Sequence, residues 1–266
     1  MSGKYRDAVF VVVYCLENKI PEYLLLKRKL HWKGWEFPKG GIEIKEKIDV
    51  AVRREIKEET GLNVIGPLEK FNYSGKYEYS NQVSNRPGII GQTFTLYAAQ
   101  VKKGKIILDE QEHEGYEWMR FEEALKKLSW ENQKKCLTIV HFWNQNKRLR
   151  KKISSDGTLF LAGKDSKTNE ELMRQIQKDE DVLHTSAAGS PFVNIKGKAT
   201  ENDIKEAALF CAKYSRDWKK NRKDVVVHWF KAQDVYKDKK MKDGTFGVKK
   251  LKTILVKKQE IENFKD

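Results

Sequence analysis

Apolar residues in the first part of the chain come in two almost unbroken runs, "AVFVVVYCL" (Ala8–Leu16) and "EYLLLKRK" (Glu22–Lys29). Runs of this length predict strands covered on both faces, joined by a turn around Asn18–Pro21. Gln92–Val101 alternates between apolar and polar and predicts another strand. "IDVAVRREIKEET" (Ile48–Thr60) has a helical period, and Gly61 stops it where a left-handed residue is wanted. "FEEALKKL" (Phe121–Leu128) and "WENQKKCLTIVHFW" (Trp130–Trp143) predict two more helices. Further on, the pattern predicts strands at Leu159–Ala162, Val225–Phe230 and Thr253–Val256, and a helix over Asn169–Lys178. A longer helix is predicted from about Glu201 to Trp218, with Thr200 as N-cap and Asp203 at the capping-box place. The expected fold class is mixed α/β (α+β).

Composition adds a partner and a division. Lys and Arg outnumber Asp and Glu by 53 to 38 over 266 residues, a net charge of +15. Such a balance points to a polyanionic partner, the alternative being a merely Lys-rich surface. From Lys147 onward there are 29 basic and 18 acidic residues, against 24 and 20 before it. The change falls in "NQNKRLRKKISSDG" (Asn144–Gly157), which is polar, basic and closed by turn-forming residues. The expected division is a domain over 1–146, a linker over 147–156 and a basic domain over 157–266. Cys15, Cys136 and Cys211 lie far apart, without metal spacing, and read as reduced core residues. The apolar run at Ala8–Leu16 is too short to span a membrane, and no signal cleavage pattern accompanies it; the expectation is a cytoplasmic protein without a membrane partner.

The helix over Ile48–Thr60 carries the candidate chemistry. With Ile48 at zero, Val52 and Ile56 fall at about 40° and 80°, and Glu55, Glu58 and Glu59 at about 340°, 280° and 20°. The acids therefore overlap the apolar stripe, while Arg53, Arg54 and Lys57 fall toward the far side. Like charges within one turn repel, and partial burial raises the cost. Geometry alone leaves two readings open: Glu–Lys and Glu–Arg pairing on a surface helix, or carboxylates converging on Mg²⁺ or Mn²⁺.

The surrounding residues are more specific. Gly40, Glu46, Arg54, Glu55, Ile56, Glu58, Glu59, Gly61 and Leu62 fill every fixed place of the pattern G-x5-E-x7-R-E-U-x-E-E-x-G-U, with U apolar. This resembles the Nudix box, and the resemblance, most like the diadenosine-tetraphosphate hydrolase branch, runs over about Arg6–Asn144. It implies an α/β/α sandwich around a mixed sheet, here followed by a second, smaller α+β domain. It also implies hydrolysis of a nucleoside diphosphate derivative, whether a dinucleoside polyphosphate, a nucleotide or an RNA 5′ end. Carried over, Glu58 and Glu59 would ligate Mg²⁺ or Mn²⁺, Glu55 would ligate metal or orient the attacking water, and the Gly40 carbonyl would complete the shell. Glu46 and Arg54 would pair to hold the loop. Glu112 is a candidate for a further ligand or base, and Lys39 and Tyr77 are candidates for substrate contact. Lys45 stands where many relatives have glycine.

Asn169, His184, Ser190 and Arg216 sit in segments whose order is similar to the RNA-binding module of the NFACT family, over about Gly157–Glu260; Lys219 and Lys220 cluster with Arg216 at a helix end and Lys237 lies in a basic loop, where each could sit on a phosphate. The resemblance implies binding of RNA, a ribosome or tRNA by the basic domain. Relatives have a Trp-Phe pair before the histidine, where this chain has Val182-Leu183. The rival readings are a non-catalytic nucleotide- or RNA-binding protein of ribosome-associated quality control, and an oligomerisation role for the second domain.

Overall fold

The computed structural model describes residues 4–30, 32–79 and 88–264. It divides into two compact units, Met1–His141 and Phe142–Asp266.

The first unit is built on strands β1 (Lys4–Glu17), β2 (Ile20–Arg28), β3 (Gly34–Glu36) and β4 (Lys39–Gly41), followed by helix α1 (Ile48–Thr60). Strands β5 (Glu69–Glu78), β6 (Ile89–Gln100) and β7 (His113–Met119) come next, then helices α2 (Phe121–Lys127) and α3 (Glu131–Gln145). The sheet order is β3-β2-β1-β6-β5, with β4 pairing β1 and β7 pairing β2. β1 runs parallel to β6 and antiparallel to β2, so the sheet is mixed. The turn between β1 and β2 places Asn18 and Lys19 at φ +51° and +66°, the two left-handed residues of a tight hairpin.

The unbroken apolar run of β1 is explained by cover on both faces. Val9, Val11 and Val13 join Val52 and Ile56 of α1 in one core cluster. On the opposite face Phe10 stacks on Phe94 at 4.1 Å. There the Tyr23 hydroxyl meets His141 Nδ1 of α3 at 2.8 Å. This is the expected α/β/α arrangement. Ile48 departs from the expected stripe: it is 39% exposed, in a first turn of α1 that is exposed throughout.

The second unit holds β8 (Arg150–Ile153), β9 (Leu159–Ala162), α4 (Ser166–Arg174), β10 (Asp181–Thr185) and β11 (Val193–Ile195). α5 (Glu201–Lys213), α6 (Arg216–Asn221) and β12 (Val225–Lys231) follow, then β13 (Val235–Tyr236), β14 (Gly247–Val248), β15 (Lys252–Val256) and α7 (Lys258–Asn263). An antiparallel sheet in the order β15-β12-β10-β11-β9-β8 is crossed by α5, whose small residues Ala207, Ala208 and Ala212 let it lie close to Leu183, Val193 and Val227. Among the described residues no helix is long and apolar enough to cross a membrane.

Three expectations change here. The stretch expected as a linker contains β8, which pairs with β9; its cationic heads sit over rings, Arg150 over Tyr214 and Lys152 over Phe264. The helix expected to run to Trp218 stops at Lys213, because Ser215 starts α6 by accepting from the Trp218 N–H at 3.0 Å. The helix expected over 169–178 begins at Ser166 instead, with Asp165 as its cap, and ends at Arg174.

Candidate functional site

In the first unit, β4 and the loop after it bring the backbone against α1. A Cβ on Gly40 would lie 1.8 Å from the Glu55 carboxyl carbon, so only glycine leaves room for that carboxylate. Lys45, in the loop, takes φ +67°, which explains a preference for glycine at this place.

Arg54 organises the acids. Its Nε and Nη2 donate to the two Glu46 oxygens at 2.9 Å each, and Nη2 also donates to the Gly41 carbonyl at 3.0 Å. Nη1 donates to Glu55 and Glu58 at 2.9 Å each. All five guanidinium donors are thus spent inside the box. Arg54, followed by the Glu43 N–H, pulls the Glu46 carboxyl down to about 2. Burial pushes Glu55 above its ordinary value despite Arg54. The Glu58 side chain is 57% exposed and meets only the guanidinium in this cluster, rather than the core edge expected of it.

Glu59 turns the other way, into the protein, and is 5% exposed. It accepts the Lys39 backbone N–H at 3.2 Å. Burial, then the charges of Glu36, Glu55 and Glu112, pushes its carboxyl well above the ordinary value. Ligand atoms of Glu59, Glu112 and His113 lie within 4.8 Å of one another. Arg28 Nη1 donates to Glu112 at 2.6 Å and to Glu36 at 3.1 Å, and Lys39 Nζ is also held by Glu36. Burial works against ionisation of Glu36, yet Lys39, His113 and Arg28 together hold its carboxyl below the usual range. His113 is 1% exposed; its Nε2 lies 3.7 Å from Glu36 Oε1, beyond hydrogen-bond reach, and neither ring nitrogen has a hydrogen-bond partner among the described residues. An oxygen-rich set with one buried imidazole that makes no hydrogen bond fits a small divalent cation.

Of the expected ligands, the structure brings Glu59 and Glu112 together and holds Glu55 and Glu58 on Arg54, with Gly40 beneath Glu55. Lys39 is engaged with Glu36 and lies 5.5 Å from the Trp32 ring centre. Tyr77 sits on β5 in ring contact with Phe10 and Tyr79, on the sheet face that Phe10 shares with Phe94. His113 was missed. Its one sequence signal is its place in the "EHE" triplet beside Glu112.

In the second unit a cavity of about 650 Å³ gathers Asn169, His184, Ser190, Arg216 and Lys219. Lys220 does not line it. Loops are fixed first. Asn169 accepts the Phe192 N–H at 3.3 Å and Ser190 accepts the Thr185 N–H at 3.0 Å. His184 Nδ1 lies 2.8 Å from the Thr185 carbonyl, which can only accept, so Nδ1 carries the proton and Nε2 is left as an acceptor. Burial lowers the His184 pKa and keeps the ring neutral. Lys237, expected to be free for phosphate, instead binds Glu170 at 2.5 Å and two carbonyls of its own loop.

Comparison with known proteins follows the same division. Residues 4–138 match the family model of the NUDIX domain, and residues 130–250 match that of the NFACT protein RNA binding domain. The chain is 35% identical over 86 residues to an archaeal Rqc2 homologue of Methanocaldococcus jannaschii, a match covering 31% of this chain and 13% of that protein. It is 31% identical over 100 residues to an RNA pyrophosphohydrolase of Caulobacter vibrioides, covering 34% of this chain and 58% of the relative. The solved Ap4A hydrolase of C. elegans, as a binary complex, aligns with a TM-score of 0.43 at 20% identity, over 53% of this chain and 98% of its own. The chain therefore spans less than two thirds of either of these curated relatives. Since the first family match takes in half of its length, the chain belongs to the NUDIX family.

Proposed function

We propose that the chain is a divalent-metal-dependent pyrophosphohydrolase of nucleoside polyphosphates, acting on the 5′ end of RNA, and that its second unit binds RNA. The observation that carries the first half is the burial of Glu59 among Glu36, Glu55 and Glu112, with more negative charge than Arg28 and Lys39 neutralise. Glu59 and Glu112, with Glu58 from the exposed edge, would hold the ion. A bound divalent cation supplies charge neutralisation for the pyrophosphate and acidifies water. Glu55, whose burial raises its proton affinity, would accept the proton of the attacking water, with Arg54 holding its carboxylate. The choice of an RNA end rests on the curated relatives that are RNA pyrophosphohydrolases and on the basic second unit.

The test is phosphate release from nucleotides, dinucleoside polyphosphates and 5′-triphosphorylated RNA with Mg²⁺ or Mn²⁺. Triphosphorylated RNA should be turned over fastest, and Glu58→Gln should lower the rate by about 10²-fold or more with an unchanged melting temperature. A chain that hydrolyses none of the panel, or a variant at the parental rate, overturns the assignment and leaves a binding protein.

A further inference from the structure

The cavity of the second unit has features that a merely solvated basic surface lacks. Three glycines let its walls close. A Cβ on Gly163 would lie 1.9 Å from Asn169 Oδ1, one on Gly244 2.6 Å from the Ser166 backbone, and one on Gly189 2.5 Å from the Arg216 stem. Gly189 and Gly244 have φ +91° and +77°, so both space and backbone demand glycine there. Arg216 is laid across the Gly189 turn, and its N–H donates to the Gly189 carbonyl at 3.0 Å.

The charge around this cavity is unbalanced. Among the described residues, Lys164, Arg216 and Lys219 have no carboxylate partner, although all three line it. The acid on the wall, Asp165, is occupied as the cap of α4, accepting the Thr168 N–H at 2.8 Å. Unpaired cations converging on one concavity create a positive potential that suits an anion. The lining also holds aromatic rings. His184 lies 4.4 Å from Phe192 between ring centres, and Phe246 meets Phe192 edge-on at 5.3 Å. The neutral His184 adds an acceptor that suits an amino or hydroxyl group. A volume of about 650 Å³ is in the range of small-ligand sites.

We infer that this cavity binds one unpaired nucleotide of a single-stranded RNA, with the phosphate on the Arg216–Lys219 side and the base against the His184–Phe192–Phe246 wall. The inference rests on the RNA-binding reading and gives it a place and a ligand form. A duplex does not suit the site, because A-form RNA is contacted across a wide, shallow groove, whereas bases splayed from single strands enter pockets and stack. The missing Trp-Phe pair before His184 is thus no obstacle: Val182 and Leu183 are fully buried in the sheet, and the aromatic wall comes from Phe192 and Phe246 instead.

The test is calorimetric titration of the full chain, in EDTA, with nucleoside monophosphates, inorganic phosphate and a short single-stranded oligoribonucleotide, beside a gel shift with long RNA. The oligoribonucleotide should bind tightest and inorganic phosphate weakest. Arg216→Ala should weaken oligonucleotide binding by about tenfold through loss of a charged hydrogen bond. Phe246→Leu should do so by about tenfold through loss of stacking. Arg216→Lys, which keeps the charge and stem, should recover part of the loss, and melting curves should match the parent. Unchanged binding in both variants overturns the proposal, as does inorganic phosphate binding as tightly as a nucleotide. A free monophosphate binding tighter than the oligonucleotide overturns RNA as its source. If the parent shifts long RNA but ignores these substitutions, the cavity fails while RNA binding stands; if it shifts none, the underlying reading fails as well.

Discussion

Arg54 is the residue on which the first unit's site turns, and its consequences are measurable in acid. The guanidinium holds Glu46 ionised down to about 2. A carboxylate held below its unfolded value contributes stability that is fully present above that value and is lost as pH falls through the folded one. The parental chain should therefore lose stability between about pH 4.5 and pH 2, and Glu46→Gln should be less stable at neutral pH but flatter over that window. Denaturant midpoints measured across the window check this; parallel curves for the two chains would refute the pairing. The Glu46–Arg54 pair was expected from the resemblance to the box, whereas the helix period put Arg54 on the far side from the acids that its Nη1 meets. His113 was not, since it meets Glu59 only after β7 has paired with β2, where Arg28 stands opposite His113. Lys237 misled for the same reason: a lysine in a basic loop looks solvated until Glu170, far away in the chain, is folded against it.

Among the elements, α5 was readable at its start though not at its end, and the cap shows why. Thr200 caps it and Asp203 returns the bond, as the local pattern requires. The fold then uses Asp203 again. Its carboxylate, fully buried, also accepts from Ser154 Oγ at 2.6 Å and Thr158 Oγ1 at 3.0 Å, tying the β8–β9 turn to the helix. Asp203→Ala should cost on the order of 3 kcal/mol, because buried hydroxyl and amide donors lose a charged acceptor. Thermal or urea unfolding checks it, and a cost no larger than that of an exposed N-cap, about 1 kcal/mol, would show the turn to be independent of the helix. The strands β8, β10 and β11 escaped the pattern. β10 and β11 are short and buried on both faces, and β8 sets Arg and Lys heads, which read as polar, over the rings of Tyr214 and Phe264.

At the scale of the whole molecule, charge is the property that joins sequence to function. The excess of cations in the second unit should make RNA affinity fall log-linearly with salt, with a slope of about 0.7 per phosphate neutralised on a single strand. Lys220 lies on α6 but does not line the cavity. Lys220→Gln should lower that slope by about 0.7 and leave nucleoside monophosphate binding unaltered, as read by a gel shift series in salt and by calorimetry. An unchanged slope would remove Lys220 from the phosphate track. The two-part organisation itself was visible as a step in charge composition. Its position was not, since the basic stretch that marks the step belongs to the second sheet.

As long as Glu46, Glu55, Glu58 and the Gly41 carbonyl accept every donor on Arg54, that guanidinium has none left for a substrate or a drug. Phosphonate mimics designed to recruit an arginine at this helix would gain nothing from it. Compounds that chelate through the Glu59–Glu112–His113 side would be the better starting point.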